Sequence, residues 1–331
     1  MKKPIIFSGI QPTGIPTLGS ALGAVRNWAR LLEDYDCLYC VVDMHAITVR
    51  QDPDDLRSYA RQVLAWNIAL GLDPQKCTQY YQSHVPAHAE LAWILNCFTY
   101  LGELNRMTQF KDKSAKNESN INAGLYTYPV LQAADILLFQ TNLVPVGEDQ
   151  RQHLELCRDI AQRFNHTYGE VFTMPEAYIA PVGAKIMGLQ YPDKKMSKSD
   201  TENENDLILL SDSPDAIIKK FKRAVTDSDN EIRFAPEKPG ISNLLTIYAC
   251  CTGKTIPESE ADFAGFGYGQ FKMGVGEAVV EMLKPYRETY DKLMSDGVYL
   301  KEIAAEGAAK ARDMAEGTLQ NVKKVIGYPM P

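Results

Sequence analysis

Two stretches of the 331-residue chain hold residue types that grip a chain of phosphates. The first, Gly9-Ile10-Gln11-Pro12-Thr13-Gly14-Ile15-Pro16-Thr17-Leu18-Gly19-Ser20, joins an apolar run to a helical pattern. Free backbone N–H groups and the helix dipole at such a junction favour an anion. Its spacing is neither that of a P-loop nor that of a dinucleotide fingerprint, so alone it reads equally as an ordinary strand-to-helix turn. The second, Lys194-Lys195-Met196-Ser197-Lys198-Ser199, sets three ammonium groups and two hydroxyls on a loop poor in glycine. Such a cluster suits a polyphosphate, and equally a solvated charged loop, because lysine binds phosphate as a flexible point charge.

The elements that would position these stretches alternate in type. Ile5 to Phe7 predicts a strand, and Leu22, Val25, Trp28, Ala29 and Leu32 follow at helical spacing. Cys37 to Val42 predicts a buried strand. Asp52-Pro53 caps a helix running to about Leu70, with Gly71 just beyond it. Thr78 to Gln82 and Leu143 to Val146 predict further strands, and Ala87 to Tyr100, Tyr128 to Phe139 and Asp149 to Phe164 predict helices. This alternation means an α/β fold, a Rossmann-like parallel sheet whose ligands lie at the carboxyl ends of the strands. Past about Asp206 strand signals fade, and helices are predicted near Ser213 to Val225, Ile241 to Cys251, Gly274 to Ser295 and Leu300 to Val325. The expected division is a Rossmann-like domain over residues 1–200 and an all-helical C-terminal domain over 201–331.

An apolar share of 45% and a charged share of 23% describe a globular chain. The net charge of -7 argues against wholesale coating of nucleic acid. A local basic patch stays open: Lys219-Lys220-Phe221-Lys222-Arg223 reads first as a solvated helix face and second as an RNA contact. No stretch is apolar and long enough for export or for a bilayer, and seven cysteines, an odd number, read as reduced thiols, so the expected compartment is the cytoplasm. Cys37 and Cys40 fall on opposite faces of a strand. His84 and His88 flank Pro86 without the Glu of a zinc-protease motif, and no protein-bound metal is expected. His153 reads as a packing or surface residue of its helix.

Lys195-Met196-Ser197-Lys198-Ser199 matches the KMSKS motif of class I aminoacyl-tRNA synthetases, and Thr17-Leu18-Gly19-Ser20 resembles that class's HIGH element in the form its tryptophanyl members use, with Thr in place of the leading His. The resemblance to the bacterial tryptophanyl branch continues through Val42 to Thr48, Gly102 to Ser114, Ala133 to Leu137, Val144 to Gln150, Ala224 to Ser228 and Pro239 to Leu245, and weakens toward the C-terminus. Two positions depart from it: Ser20 stands where Asn is more frequent, and Gln132 where a Met commonly lines the amino-acid pocket.

The resemblance implies a tryptophan-tRNA ligase that first makes tryptophanyl-AMP from tryptophan and ATP, then acylates the 3′ end of tRNA(Trp). It implies ATP contacts from Gln11, Pro12, Thr13, Thr17, Gly19, Ser20, Lys195, Met196, Ser197, Lys198 and Ser199. Gly147, Glu148, Asp149 and Ile186 would contact the adenosine. Lys113, Lys195 and Lys198 would stabilise the departing pyrophosphate, with Thr17 beside them in the catalytic set and Mg²⁺ carried mainly on ATP oxygens. Phe7, His45, Tyr128, Gln132, Asp135, Val144 and Val146 would line the tryptophan pocket. An indole N–H donates and cannot accept, so Asp135 is the expected reader of the substrate, left unpaired by an amino acid without that donor. The 201–331 region would bind the anticodon, and a homodimer is expected. A tyrosyl-tRNA synthetase, another nucleotidyltransferase with the same core, and a non-catalytic paralogue are the alternatives.

Overall fold

The computed structural model describes residues 3–108, 121–147, 150–178, 185–197 and 203–329. Its first part alternates as the sequence predicts: β1 (Ile5–Ile10), a helical stretch opening with α1 (Leu18–Ser20), β2 (Asp36–Val41), α2 (Pro53–Ala69), β3 (Cys77–Tyr81), α3 (Ala87–Asn96), α4 (Ala123–Leu137), β4 (Leu143–Pro145), α5 (Arg151–Tyr168) and β5 (Glu176–Tyr178). The strands form one parallel sheet in the order β3-β2-β1-β4-β5. Strand progression reverses between β1 and β4, and such a switch point opens a crevice beyond the strand ends.

Local chemistry accounts for the elements. The Asp52 carboxylate accepts from the backbone N–H groups of Asp54 and Asp55, Pro53 opens α2, and Gly71 takes φ +108° beyond its end. β2 is buried on both faces: Cys37, Tyr39 and Val41 join one core with α2, while Leu38 and Cys40 join the other with α4 and α5. The two cysteines thus lie on opposite faces.

Several boundaries differ from the sequence expectation: the helix expected to reach Tyr100 ends at Asn96, and the one expected near Gly274 begins at Tyr268. The helix expected from Tyr128 begins at Ala123, capped by the Asn122 side chain on Leu125 N–H, with Pro129 inside it. Proline marks a helix start better than a helix interior, which is why the pattern points too late. β5 spans three residues, too short to show alternation.

Beyond the sheet follow α6 (Pro214–Lys222), α7 (Pro239–Thr252), α8 (Tyr268–Ser295) and α9 (Gly297–Ile326). Within the basic run Phe221 is buried, Lys220 pairs with Asp212 at 2.7 Å, and Lys219, Lys222 and Arg223 are exposed. α9 returns to the sheet and packs against β3. Gly307 lets its backbone approach so closely that a Cβ there would lie 1.8 Å from the Gln79 carbonyl oxygen. Ala308, Ala311 and Ala315 continue that small-residue face into the core. Among the described residues no helix is long and apolar enough to cross a membrane.

Candidate active site

The crevice at the switch point is a cavity of 320 Å³. The ends of β1 (Phe7, Ser8, Gly9) and β4 (Val144, Pro145) form its walls, joined by Val146, by Val42, His45 and Thr48 after β2, by Tyr128, Gln132, Asp135 and Ile136 from α4, and by Gln150. The sequence-predicted tryptophan-pocket residues Phe7, His45, Tyr128, Gln132, Asp135, Val144 and Val146 therefore meet in one place.

Asp135 is 1% exposed. A bare carboxylate at such depth would be costly, and three donors offset that cost. Gln82 Nε2 donates to Oδ1 at 2.7 Å, His88 Nδ1 meets the same oxygen at 2.6 Å, and His45 Nε2 meets Oδ2 at 2.8 Å. Burial acts to raise the carboxyl pKa, but attraction to His88 and the hydrogen bonds from His45 and His88 outweigh it and hold the group below the usual carboxylate range. This corrects the sequence expectation of an Asp135 left unpaired by a ligand without an N–H. The carboxylate already has partners, as a buried charge must, and a ligand without that donor does not strip the group bare.

A second chain of polar groups borders the cavity. The Tyr128 hydroxyl lies 3.0 Å from His153 Nε2, His153 Nδ1 lies 3.3 Å from Gln150 Oε1, and Gln132 Nε2 donates to that Oε1 at 3.1 Å. His153 is buried and packs behind the wall. Gln132 lines the cavity with its amide tied to Gln150.

On the other side of β1 the first loop is fixed by its own side chains. Thr17 is fully buried, and its Oγ1 accepts from Ser20 N–H at 3.2 Å, capping α1. Leu18 N–H donates to Ile208 at 2.8 Å, Leu210 N–H donates to Pro16 at 2.9 Å, and Gln11 Nε2 donates to the His45 carbonyl at 2.8 Å. Pro12 is buried and Thr13 exposed.

The lysine-rich stretch runs alongside. Met196 N–H donates to Ile186 at 3.0 Å and Gly188 N–H to Lys194 at 2.8 Å, so 186–188 and 194–196 pair antiparallel. Asn243 of α7 clamps one strand of this hairpin: its Oδ1 accepts from Met187 N–H at 2.9 Å and its Nδ2 donates to the Met187 carbonyl at 3.0 Å. Asp206 Oδ1 accepts from the N–H groups of Gln190 and Tyr191 at the turn. Met196 and Ile186 are buried, Lys195 is exposed, and Ser197 is half-buried. A Cβ added at Gly19 would lie 3.2 Å from Met196 Cβ, so the two phosphate-suited stretches are in contact. Gly147 is exposed at the rim. Lys113, Glu148, Asp149, Lys198 and Ser199 lie outside the described residues.

Residues 1–284 match the family tRNA synthetases class I (W and Y). The chain belongs to that family of class I tRNA synthetases. A curated relative, the tryptophan-tRNA ligase of Clostridium tetani, is 53% identical over 98% of this chain and 96% of its own length. The crystal structure of tryptophanyl-tRNA synthetase from Mycoplasma pneumoniae is similar at 35% identity and a TM-score of 0.90, covering 99% of each chain. The enzyme from Campylobacter jejuni, complexed with ADP and tryptophan, is similar at 35% identity and a TM-score of 0.85, covering 98% of this chain and 99% of that one.

The sequence of this synthetase assigns no site role to Gln82, Gln150, Asn243 or Asp206, and it offers His88 only as half of a discarded metal pair with His84, yet all five hold the site together. Gln82 and His88 show polarity at positions the helix and strand patterns would bury, and the meaning of that signal depends on Asp135 many residues away.

Proposed function

We propose that the chain is a tryptophan-tRNA ligase, activating tryptophan with ATP and transferring it to tRNA(Trp). The observation that carries this is the buried, donor-supported Asp135 carboxylate in a cavity it shares with the apolar and aromatic side chains of Phe7, Tyr128, Val144 and Val146. In the first step a tryptophan carboxylate oxygen attacks the α-phosphorus of ATP and pyrophosphate departs. In the second a terminal ribose hydroxyl of the tRNA attacks the acyl carbon, and AMP leaves. A carboxylate is already nucleophilic at neutral pH, so the protein's part is positioning and charge stabilisation.

Asp135 receives the indole N–H. Gln11, Pro12, Thr13, Thr17, Gly19, Ser20 and Gly147 hold the nucleotide with Ile186, Glu148 and Asp149. Lys195, together with Met196, Ser197, Lys198, Ser199 and Lys113, meets the phosphates. Mg²⁺ arrives with ATP, on the phosphate oxygens. The helices beyond residue 201 contact the tRNA, and two copies pair in a cytoplasmic enzyme.

Amino-acid-dependent exchange of pyrophosphate into ATP tests this reading. Exchange is expected with tryptophan, and a preference for tyrosine, or no exchange with any amino acid, would overturn it.

A further inference from the structure

His88 takes no part in the chemistry above, yet it is wholly buried and touches Asp135 from the side away from the cavity. Its Nδ1 stands 2.6 Å from Asp135 Oδ1, and its Nε2 stands 3.0 Å from the hydroxyl of Tyr80, which is also fully buried. The imidazole is thus held at both nitrogens. An ionised carboxylate can only accept, so Nδ1 carries a proton whatever the charge of the ring. Gln82 Nε2 donates to the same Oδ1 at 2.7 Å. Among the described residues Oδ2 meets a single donor, His45, which itself lines the cavity. Two donors therefore occupy the inward oxygen, while the outward one keeps an acceptor site.

We propose that His88, backed by Tyr80, is a positioning residue for substrate recognition. It pins the Asp135 carboxylate about its Cβ–Cγ bond so that the Oδ2 acceptor faces the indole N–H. The proposal rests on Asp135 receiving that N–H. Removing the Nδ1 donor frees the carboxylate to turn and to spend its acceptors on Gln82 and His45, which costs recognition of the donor and leaves the apolar fit of the ring unchanged.

The test compares activation of tryptophan with that of β-(benzothiophen-3-yl)alanine, in which sulfur replaces the ring N–H at nearly the same shape. The readout is the ratio of the two kcat/KM values in pyrophosphate exchange, for the full-length protein and for His88→Leu, His88→Asn and Asp135→Asn. His88→Leu is expected to lower the ratio about 10-fold or more, the scale of one charge-assisted hydrogen bond. The loss should appear in KM for tryptophan with KM for ATP unchanged. His88→Asn, whose amide N–H takes the place of Nδ1, is expected to restore most of it. Equal losses for both amino acids, or a lowered Tm with the ratio intact, would show that His88 merely packs. An unchanged ratio in Asp135→Asn would sink the reading of Asp135 itself and this proposal with it. Should His88→Leu fail to fold, Tyr80→Phe decides: it leaves the ring in place but releases Nε2. A ratio lowered several-fold supports positioning, and an unaltered one overturns it.

Discussion

Gly19 and Met196, far apart in sequence, face each other so closely that a side chain at Gly19 would meet Met196 Cβ at 3.2 Å. This contact brings the loop after β1 against the lysine-rich hairpin, so that backbone amides and ammonium groups can share one triphosphate. Gly19→Val is expected to push the two apart, with overpacking on the scale of about 1–3 kcal/mol. KM for ATP should rise about 10-fold or more, while tryptophan binding, followed by equilibrium dialysis, stays as it was. An unaltered KM for ATP would show that the contact is not needed.

Lys195 is exposed at the end of the hairpin pinned by Asn243 and Asp206. On the proposed reading, its charge is needed most as pyrophosphate leaves. Lys195→Ala should therefore lower kcat of tryptophan activation by roughly 100-fold, the scale of one lost electrostatic contact to a transition state. The Kd for tryptophan should hold within about two-fold, as expected of an interaction made mainly in the transition state. A matching loss of tryptophan affinity would move Lys195 out of this role.

Gly307 on α9 lies against the Gln79 carbonyl of β3 with no room for a methyl group. Two effects oppose one another in Gly307→Ala. Helix propensity favours Ala by about 1 kcal/mol, and the 1.8 Å approach demands that helix or strand shift. The steric effect wins, because backbone atoms on both sides resist the move. A net loss of about 1–3 kcal/mol is expected in urea unfolding. A midpoint equal to or above that of the parent protein would contradict the close approach.

How much of this was legible in the sequence depends on the range of the signal. α2 announces itself through Asp52, Pro53 and Gly71, all within or beside the element. β1 and β2 do so through unbroken apolar runs. The seven predicted pocket residues were placed by motif resemblance, and the sheet order explains why they meet: β1 and β4 are neighbours although most of the described first half separates them. The polar support was not legible. His88 and Gln82 precede Asp135 by 47 and 53 positions, and no periodicity links them. Nor does a glycine within a long helical pattern disclose that it sits on the backbone of a distant strand.

Asp135 makes acid stability a measure of the site. Its carboxyl is held below the usual range in the folded protein, so its contribution to stability is complete above the unfolded value of about 3.9 and is lost as pH falls below that toward the folded value. Asp135→Asn removes the charge that His45, His88 and Gln82 surround, and should destabilise by about 3–5 kcal/mol near neutrality, the scale of a broken buried pair. Because the parent protein loses this contribution in acid and the variant has none to lose, the gap between their urea midpoints should narrow as pH falls from about 4 to about 2. A gap constant over that window would mean that Asp135 titrates like a solvent-exposed carboxylate, in conflict with the three donors placed around it.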